Sequence, residues 1–512
     1  MTLPPVRRQP VAIAPLLAIG LAMFLVHLAT NGQYGFHRDE LTTLDDARHL
    51  AWGFVPYPPL TAFFGRISLE LWGPSLRGIR VFPALAQSLV VVLTGCMAAE
   101  LGATRRWQIV AALAALVAPV AVVSGSLYQY VSFDALCWVA TAYFVIRVLR
   151  SDDPRWWLAV GLTVGLGMLA KYSMAFLVIG ILVGLALTPA RRHLASGWLW
   201  AGVALSLLVF LPHLIWEARH DFITITFLQH IHARDVRIGR ADGFIVQQLY
   251  ATTCILTVPL WMTGLWYLLA APAGARFRVI GWMYVVALAI LVVARGRFYY
   301  LEPGYPMLLA AGAVAWESWL RQRGELRGHD DAERAARVGG GIAVGVLAVV
   351  ALASIAILPV GAPHGALWNL RGGLNGDYAE EIGWPELVRT VDSVYVSLPP
   401  AVRAHSAILA GNYGEAGAID MYGPRRGLPQ AISAVNTYWL RGPGNPGPES
   451  AIVLGYDMSD ATKLFEHCDV VAHETNAHHV ENEETRDHPD ILFCTTPRAP
   501  WNVMWPRMLR YG

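Results

Sequence analysis

Apolar runs of the length that a membrane helix needs, roughly 17–25 residues, fall near 11–29, 79–101, 107–123, 133–149, 156–170, 172–187, 198–216, 245–270, 278–294, 300–319 and 338–358, about eleven in all. The polar–apolar rhythm changes in two places. After the first run, residues 34–66 read YGFHRDELTTLDDARHLAWGFVPYPPLTAFFGR. There Leu41, Leu44, Ala47 and Ala51 recur at three- and four-residue steps, with Asp39, Thr43, Asp46 and His49 on another face, which predicts an amphipathic helix lying along a membrane surface. Gly53 can supply the left-handed residue that ends it, and Pro56, Pro58 and Pro59 prevent its resumption. After Pro359, Gly, Pro, Asn and acidic residues surround short apolar runs such as 407–410 and 451–454, which predict strands, with a helix over 386–398. The pattern predicts a mainly α, polytopic membrane protein. Its membrane domain spans 1–358, with 30–78 as an external loop, and 359–512 form a small extracytoplasmic α/β domain. Neither an internal repeat nor a low-complexity tract interrupts it.

The positions of the arginines fix the sidedness. Placing alternate loops in the cytoplasm puts Arg7-Arg8, Arg105-Arg106, Arg150 with Arg155, Arg191-Arg192, Arg276 with Arg278, and Arg321, Arg323, Arg327, Arg334 and Arg337 all on that side, as positive-inside topology requires. The N-terminus is then cytoplasmic, and the acidic segment, the 217–244 loop and 359–512 are outside. The first run follows Arg7-Arg8 but lacks a small-residue cleavage site, so it is read as a retained helix rather than a signal peptide. Composition agrees: of 512 residues 55% are hydrophobic and 15% charged, against about 25% charged in soluble domains. A formal net charge of +2, spread over short clusters, excludes a nucleic-acid stripe. Cys96, Cys137 and Cys254 lie in apolar runs, as small buried hydrophobes do. Cys468 and Cys494 lie in the polar tail and can form a disulfide if that tail faces an oxidising compartment.

Candidate chemistry gathers at the outer membrane boundary. Asp39 and Glu40 are crowded by Arg38, Asp45, Asp46, Arg48 and His49, and a carboxylate held over a cavity can act as a general base. Asp45 and His49, four residues apart, suit an ion pair better than a metal. Lys171 interrupts an apolar stretch, where a charge is costly and functional by default; its bland alternative is snorkelling at a helix end. Arg297 lies in RGRFYYLEPGYP at another outer boundary, and two cations there can hold a lipid phosphate. Tyr299, Tyr300 and Tyr305 otherwise belong to an interfacial aromatic belt. Asp134, in SLYQYVSFDALCW, is either a helix-start charge or part of the same external cavity. Gly161, Gly165 and Gly167 allow close helix packing. His473, His478 and His479 lack regular metal-ligand spacing. No Walker loop, dinucleotide fingerprint, GxSxG or HExxH motif is present.

In order, RDEL…ARHLAWGF…YPPLTA, GLGMLAKY, YYLEPGYP and GNYGEAGAIDMYGP resemble bacterial family 39 glycosyltransferases of the protein O-mannosyltransferase and aminoarabinose transferase superfamily, with the GT-C fold. The resemblance implies an inverting transfer of a sugar from a polyprenyl-phosphate carrier to an envelope glycan, lipid or protein acceptor outside a bacterial inner membrane. It implies Asp39 as general base with Glu40 in support, and Lys171 and Arg297, with Tyr299 and Tyr300, at the carrier phosphate. Arg38, Asp46, Arg48, Tyr57 and Asp134 are then candidates for lining the cavity. Relatives often carry an acid just before the YPP element, in some helping to hold a divalent metal. Here that position is Pro56, so no metal is assigned. A transporter or flippase for lipid-linked sugars is the alternative, and a noncatalytic scaffold the third.

Overall fold

A computed structural model describes residues 9–326, 329–374, 376–445 and 447–512. Arg7, Arg8 and Arg327, used above to set sidedness, lie outside the described residues. The chain divides into two compact units, one of Met1–Thr30, Arg80–Ala218 and Arg234–Leu358, the other of Asn31–Ile79, Arg219–Ala233 and Pro359–Gly512.

Every apolar run of the sequence coincides with helix in the first unit, though several are broken or short. Among the described residues six helices are long and apolar enough to cross a membrane, or up to eight if each bent pair is one span. That is fewer than the eleven runs, for local reasons. Pro119 divides the third run into Arg105–Leu116 and Pro119–Ser124. The fifth and sixth runs form helices of only 15 and 13 residues, Trp156–Ala170 and Met174–Ala186. Tyr305–Glu325 is long, but Glu317, Arg321, Arg323 and Glu325 lower the hydropathy of its second half. Glycines set some of the closest approaches. A Cβ at Gly161 would lie 2.1 Å from the carbonyl oxygen of Gly202, and one at Gly165 would lie 2.8 Å from Cβ of Val209. The Trp156–Ala170 and Gly197–Arg219 helices therefore touch backbone to backbone.

The second unit draws on three stretches of sequence. Residues 31–79, grouped above with the membrane helices, pack here with the C-terminal residues. The acidic helix spans Arg38–Arg48 and starts with a reciprocal cap. The His37 ring accepts from the Asp39 N–H at 3.1 Å, and the Glu40 carboxylate accepts from the His37 N–H at 2.9 Å. The helix ends at His49, whose N–H donates to the carbonyls of Asp45 and Asp46. It is not ended by Gly53, which is absent from the glycines of positive φ. Leu41, Leu44 and Ala47 are buried as the spacing required, but against protein rather than at a membrane surface. Their neighbour is the Tyr413–Tyr422 helix, where a Cβ on Gly417 would come within 2.8 Å of the Leu41 backbone.

The C-terminal residues build a five-stranded sheet from β1 (Ser406–Ala410), β2 (Ala431–Ser433), β3 (Ser450–Leu454), β4 (Phe465–His473) and β5 (Asp490–Pro497). The order is β2-β1-β3-β5-β4, parallel across the first three and antiparallel through β5 and β4. The Trp384–Ser397 helix buries Leu387, Val388, Val391 and Val394. Cys468 and Cys494 oppose each other on β4 and β5 and are joined as a disulfide.

Candidate functional site

Two polar clusters contain the candidate residues, one in each unit. In the second unit Asp39 stands in the first turn of the acidic helix, where the helix dipole favours a carboxylate. Its Oδ1 accepts the Tyr413 hydroxyl at 2.8 Å, while its side chain remains 35% exposed. Tyr413 opens its own helix, whose start Asn412 and Glu415 cap reciprocally. Burial, and after it the negative charge of Asp39, push the Tyr413 phenol above its ordinary pKa, so it stays a donor. Arg38 lies over the Tyr413 ring, 5.4 Å from its centroid, and is bonded to Glu483, with Glu484 and Glu380 at 3.8 and 3.9 Å. Burial opposes its charge, but Tyr413, Asp39, Glu483 and Glu484 hold its pKa above the usual value. Glu484 is pushed up to about 8, by burial first and then by Glu380. Glu40 is fully buried, and its carboxylate serves the helix start.

Nearly two turns beyond Asp39, Asp45 and Asp46 share a guanidinium that the sequence reading did not single out. Arg441 binds Asp45 through one nitrogen and Asp46 at 3.1 Å through another. It also lies 4.5 Å from the centroid of the Tyr438 ring. Tyr57 donates to Asp46 at 2.6 Å. Burial pushes Asp46 up to about 7, helped by the charge of Asp45. For Asp45 burial acts in the same sense, but the His49 hydrogen bond and Arg441 outweigh it and hold that carboxyl low. Asp45 and His49, 3.4 Å apart, thus form an ion pair. Arg48 donates to the Asp420 carbonyl at 2.9 Å and to the Met421 sulfur. Asp46, Tyr57 and Arg48, read above as lining a cavity, have polar atoms engaged inside this unit, and Asp46 is only 1% exposed.

In the first unit Lys171 ends the Trp156–Ala170 helix and points into three tyrosine rings. Its ammonium lies 3.7 Å from the centroid of Tyr300, 4.9 Å from Tyr130 and 5.4 Å from Tyr299. Desolvated cation–π contacts of this kind are worth about 2 kcal/mol. Arg297 donates to Tyr299 at 3.2 Å and to Asp235 at 2.6 Å, so Tyr299 bridges the two cations. Asp134 and Glu302, both buried, act on Lys171 through their charge. Asp134 accepts from Ser173 at 2.8 Å. Lys171, Arg297, Tyr299, Tyr300 and Asp134 are therefore brought together. Tyr130, Asp235 and Glu302 complete the cluster; their only signal in the sequence is a polar or aromatic residue beside an apolar run.

Among the described residues no group of three or more His, Cys, Asp or Glu could hold a metal ion. His473 pairs with Asp490 at 2.8 Å instead. With Pro56 ahead of Tyr57, no metal is assigned.

An apolar many-helix unit and a small sheet-bearing unit assembled from three stretches of the chain make this a multi-pass membrane protein, and the likeness to ArnT below gives it the GT-C fold. Residues 56–216 match the family model described as dolichyl-phosphate-mannose-protein mannosyltransferase. The lipid A galacturonosyltransferase RgtD of Rhizobium johnstonii is 28% identical over 235 residues, 44% of this chain and 48% of that protein. The lipopolysaccharide core galacturonosyltransferase RgtB of the same organism is 28% identical over 214 residues, 41% of this chain and 42% of that protein. The match thus spans just under half of the length of these curated relatives. ArnT from Cupriavidus metallidurans, solved bound to undecaprenyl phosphate, shares the fold with a TM-score of 0.58 at 15% identity. That likeness covers 94% of this chain and 97% of ArnT. The apo form of ArnT gives a TM-score of 0.55. The chain is accordingly similar to the family 39 glycosyltransferases, the resemblance read in its sequence.

Proposed function

We propose that this protein is an inverting glycosyltransferase of a bacterial inner membrane. It takes a sugar from a polyprenyl-phosphate carrier and passes it to an envelope glycolipid outside the cytoplasm. The observation that carries this reading is the Lys171 ammonium held among three tyrosines beside Arg297 in an apolar helical unit. Paired cations of this kind suit a lipid-linked phosphate, because charge grows on the departing phosphate in the transition state. The solved ArnT complex with undecaprenyl phosphate supports such a carrier, and the names of RgtD and RgtB favour a uronic-acid sugar and a lipid A or core acceptor.

Asp39 is the general base in this reading. It takes the proton of the acceptor hydroxyl as that oxygen attacks the sugar carbon opposite the carrier phosphate. The C–O bond to the phosphate breaks, and the configuration at the carbon inverts. Residues 359–512 are placed outside the membrane and the N-terminus in the cytoplasm. A transporter or flippase would use the same cations but no base, so Asp39→Asn separates the two readings. The test is mass spectrometry of envelope glycans and carrier lipids from a deletion strain complemented with wild type or Asp39→Asn. Transfer should fall by about 10²–10⁴ in the variant, the usual contribution of a positioned base, with the loaded carrier accumulating. Full restoration by Asp39→Asn would overturn the assignment.

A further inference from the structure

The turn that carries Lys171 is held by each of its three residues. Lys171 lies on the tyrosine rings, and Ser173 donates to Asp134. Tyr172, between them, points to the Gly197–Arg219 helix. Its hydroxyl lies 2.5 Å from Nε2 of His213 and donates to Glu217 at 3.2 Å. His213 and Glu217 are one helical turn apart, with His213 Nε2 3.6 Å from the Glu217 carboxylate. His213 is fully buried and Glu217 is 4% exposed. Six of the 23 residues of this helix are buried, His213 and Glu217 among them, so two ionisable side chains take a third of a small contact face. Burying an ionisable side chain is costly unless it is paired and hydrogen-bonded.

The packing below explains how the triad is aimed. Gly161 on Gly202 and Gly165 on Val209 set the two helices in close contact, and towards their ends Tyr172 meets His213 and Phe210. His213 is wedged between Phe210 and Trp216, with ring centroids at 5.2 and 6.1 Å, which restricts the imidazole. The directions that satisfy all three groups have the His213 ring N–H donating to the Tyr172 oxygen and the Tyr172 hydroxyl donating to Glu217.

We infer that Tyr172, His213 and Glu217 are positioning residues for the carrier phosphate: by pinning the 171–173 turn they hold the Lys171 ammonium where the lipid-linked phosphate is bound. The inference rests on the function proposed above. It differs from a purely packing role, in which the triad would add stability without favouring one substrate over the other.

The experiment uses the full-length protein in vesicles with a polyprenyl-phosphate sugar as donor, comparing wild type, Tyr172→Phe, Glu217→Gln, Lys171→Met and Tyr172→Phe with Lys171→Met. Tyr172→Phe keeps the ring and its edge contact with Phe210 and removes only the hydroxyl. The donor KM should rise about tenfold in Tyr172→Phe and in Glu217→Gln, the loss of roughly one hydrogen bond to a charged network. The acceptor KM should stay unchanged, while the thermal midpoint falls in each variant because buried partners lose a hydrogen bond. In the Lys171→Met background, Tyr172→Phe should add nothing, because the two act as a unit. A donor KM within twofold of wild type, or an equal loss without Lys171, overturns the positioning role. A wild-type protein that transfers sugar from no such carrier refutes the function instead.

Discussion

Tyr413→Phe tests whether the C-terminal unit contributes to the chemistry of Asp39. The substitution deletes one oxygen and leaves the ring under Arg38, where the guanidinium lies 5.4 Å from the centroid. Its effect is therefore confined to the 2.8 Å hydrogen bond received by Asp39 Oδ1. Bonds to a charged group are worth about 1.5–3 kcal/mol. Asp39 keeps its helix position without Tyr413 but loses one contact that orients its side chain, so that energy acts on orientation. At about 1.4 kcal/mol per tenfold, kcat should fall by about 10- to 100-fold. The assay is transfer from a polyprenyl-phosphate sugar in vesicles under saturating donor and acceptor, with thermal unfolding measured on the same preparation. A kcat within twofold of wild type, at an unchanged thermal midpoint, would refute the argument and leave Tyr413 a packing residue. A parallel loss of stability would be checked with Tyr413→His, which restores a ring donor and should recover part of the rate only if orientation is what was lost.

Three further outcomes follow from the second unit. An unfolded aspartate titrates near 3.8, whereas burial holds Asp46 near about 7, so between these values the folded state keeps a proton the unfolded state has lost. Stability should thus fall as pH rises from about 4 to 7, by at most about 1.4 kcal/mol per pH unit for this group. Asp46→Asn should flatten the slope of thermal midpoint against pH by one proton's worth, and an unaltered slope would contradict the assignment. Replacing Cys468 and Cys494 by serine opens a loop of sequence separation 26, which should destabilise the unit by about 3 kcal/mol; denaturant midpoints with and without reductant measure it, and equal midpoints would count against it. Gly417→Ala puts a methyl 2.8 Å from the Leu41 backbone and should cost about 1–3 kcal/mol through overpacking, seen as lowered thermal stability; a neutral effect would mean that the two helices can separate freely.

The readable parts of the sequence were those governed by local periodicity. Leu41, Leu44 and Ala47 on one face, the apolar runs, and strands at 407–410 and 451–454 all follow from spacing that a helix or sheet must bury. What spacing does not carry is the partner. The apolar face of the 38–48 helix was assigned to a membrane surface because nothing in the run itself announces the Tyr413–Tyr422 helix. Arg441 carries no signal in the sequence, although it binds Asp45 and Asp46 from 396 and 395 residues away. The helix end was misread at Gly53 because the His49 N–H already caps the carbonyls of Asp45 and Asp46. In the first unit, Lys171 was legible because a lysine in an apolar run is conspicuous. Tyr172, beside it, was not, since a tyrosine there reads as belt until His213 and Glu217 are seen against it.

The second unit is assembled from segments that leave the ribosome at very different times. Asp39 and Tyr413 are 374 residues apart. At the usual 5–20 residues per second, the acid is made roughly 20–75 seconds before its partner. For that interval Leu41, Leu44 and Ala47 have no Tyr413–Tyr422 helix to cover them, and Asp45 and Asp46 have no Arg441. An unfinished chain therefore has its apolar runs in hand while its acidic helix is still uncovered. A chain cut before residue 413 would carry every candidate phosphate ligand and yet lack the hydroxyl that Asp39 accepts. Synthesis thus sets a built-in delay: the proposed base meets its partner only after 374 further residues have been made.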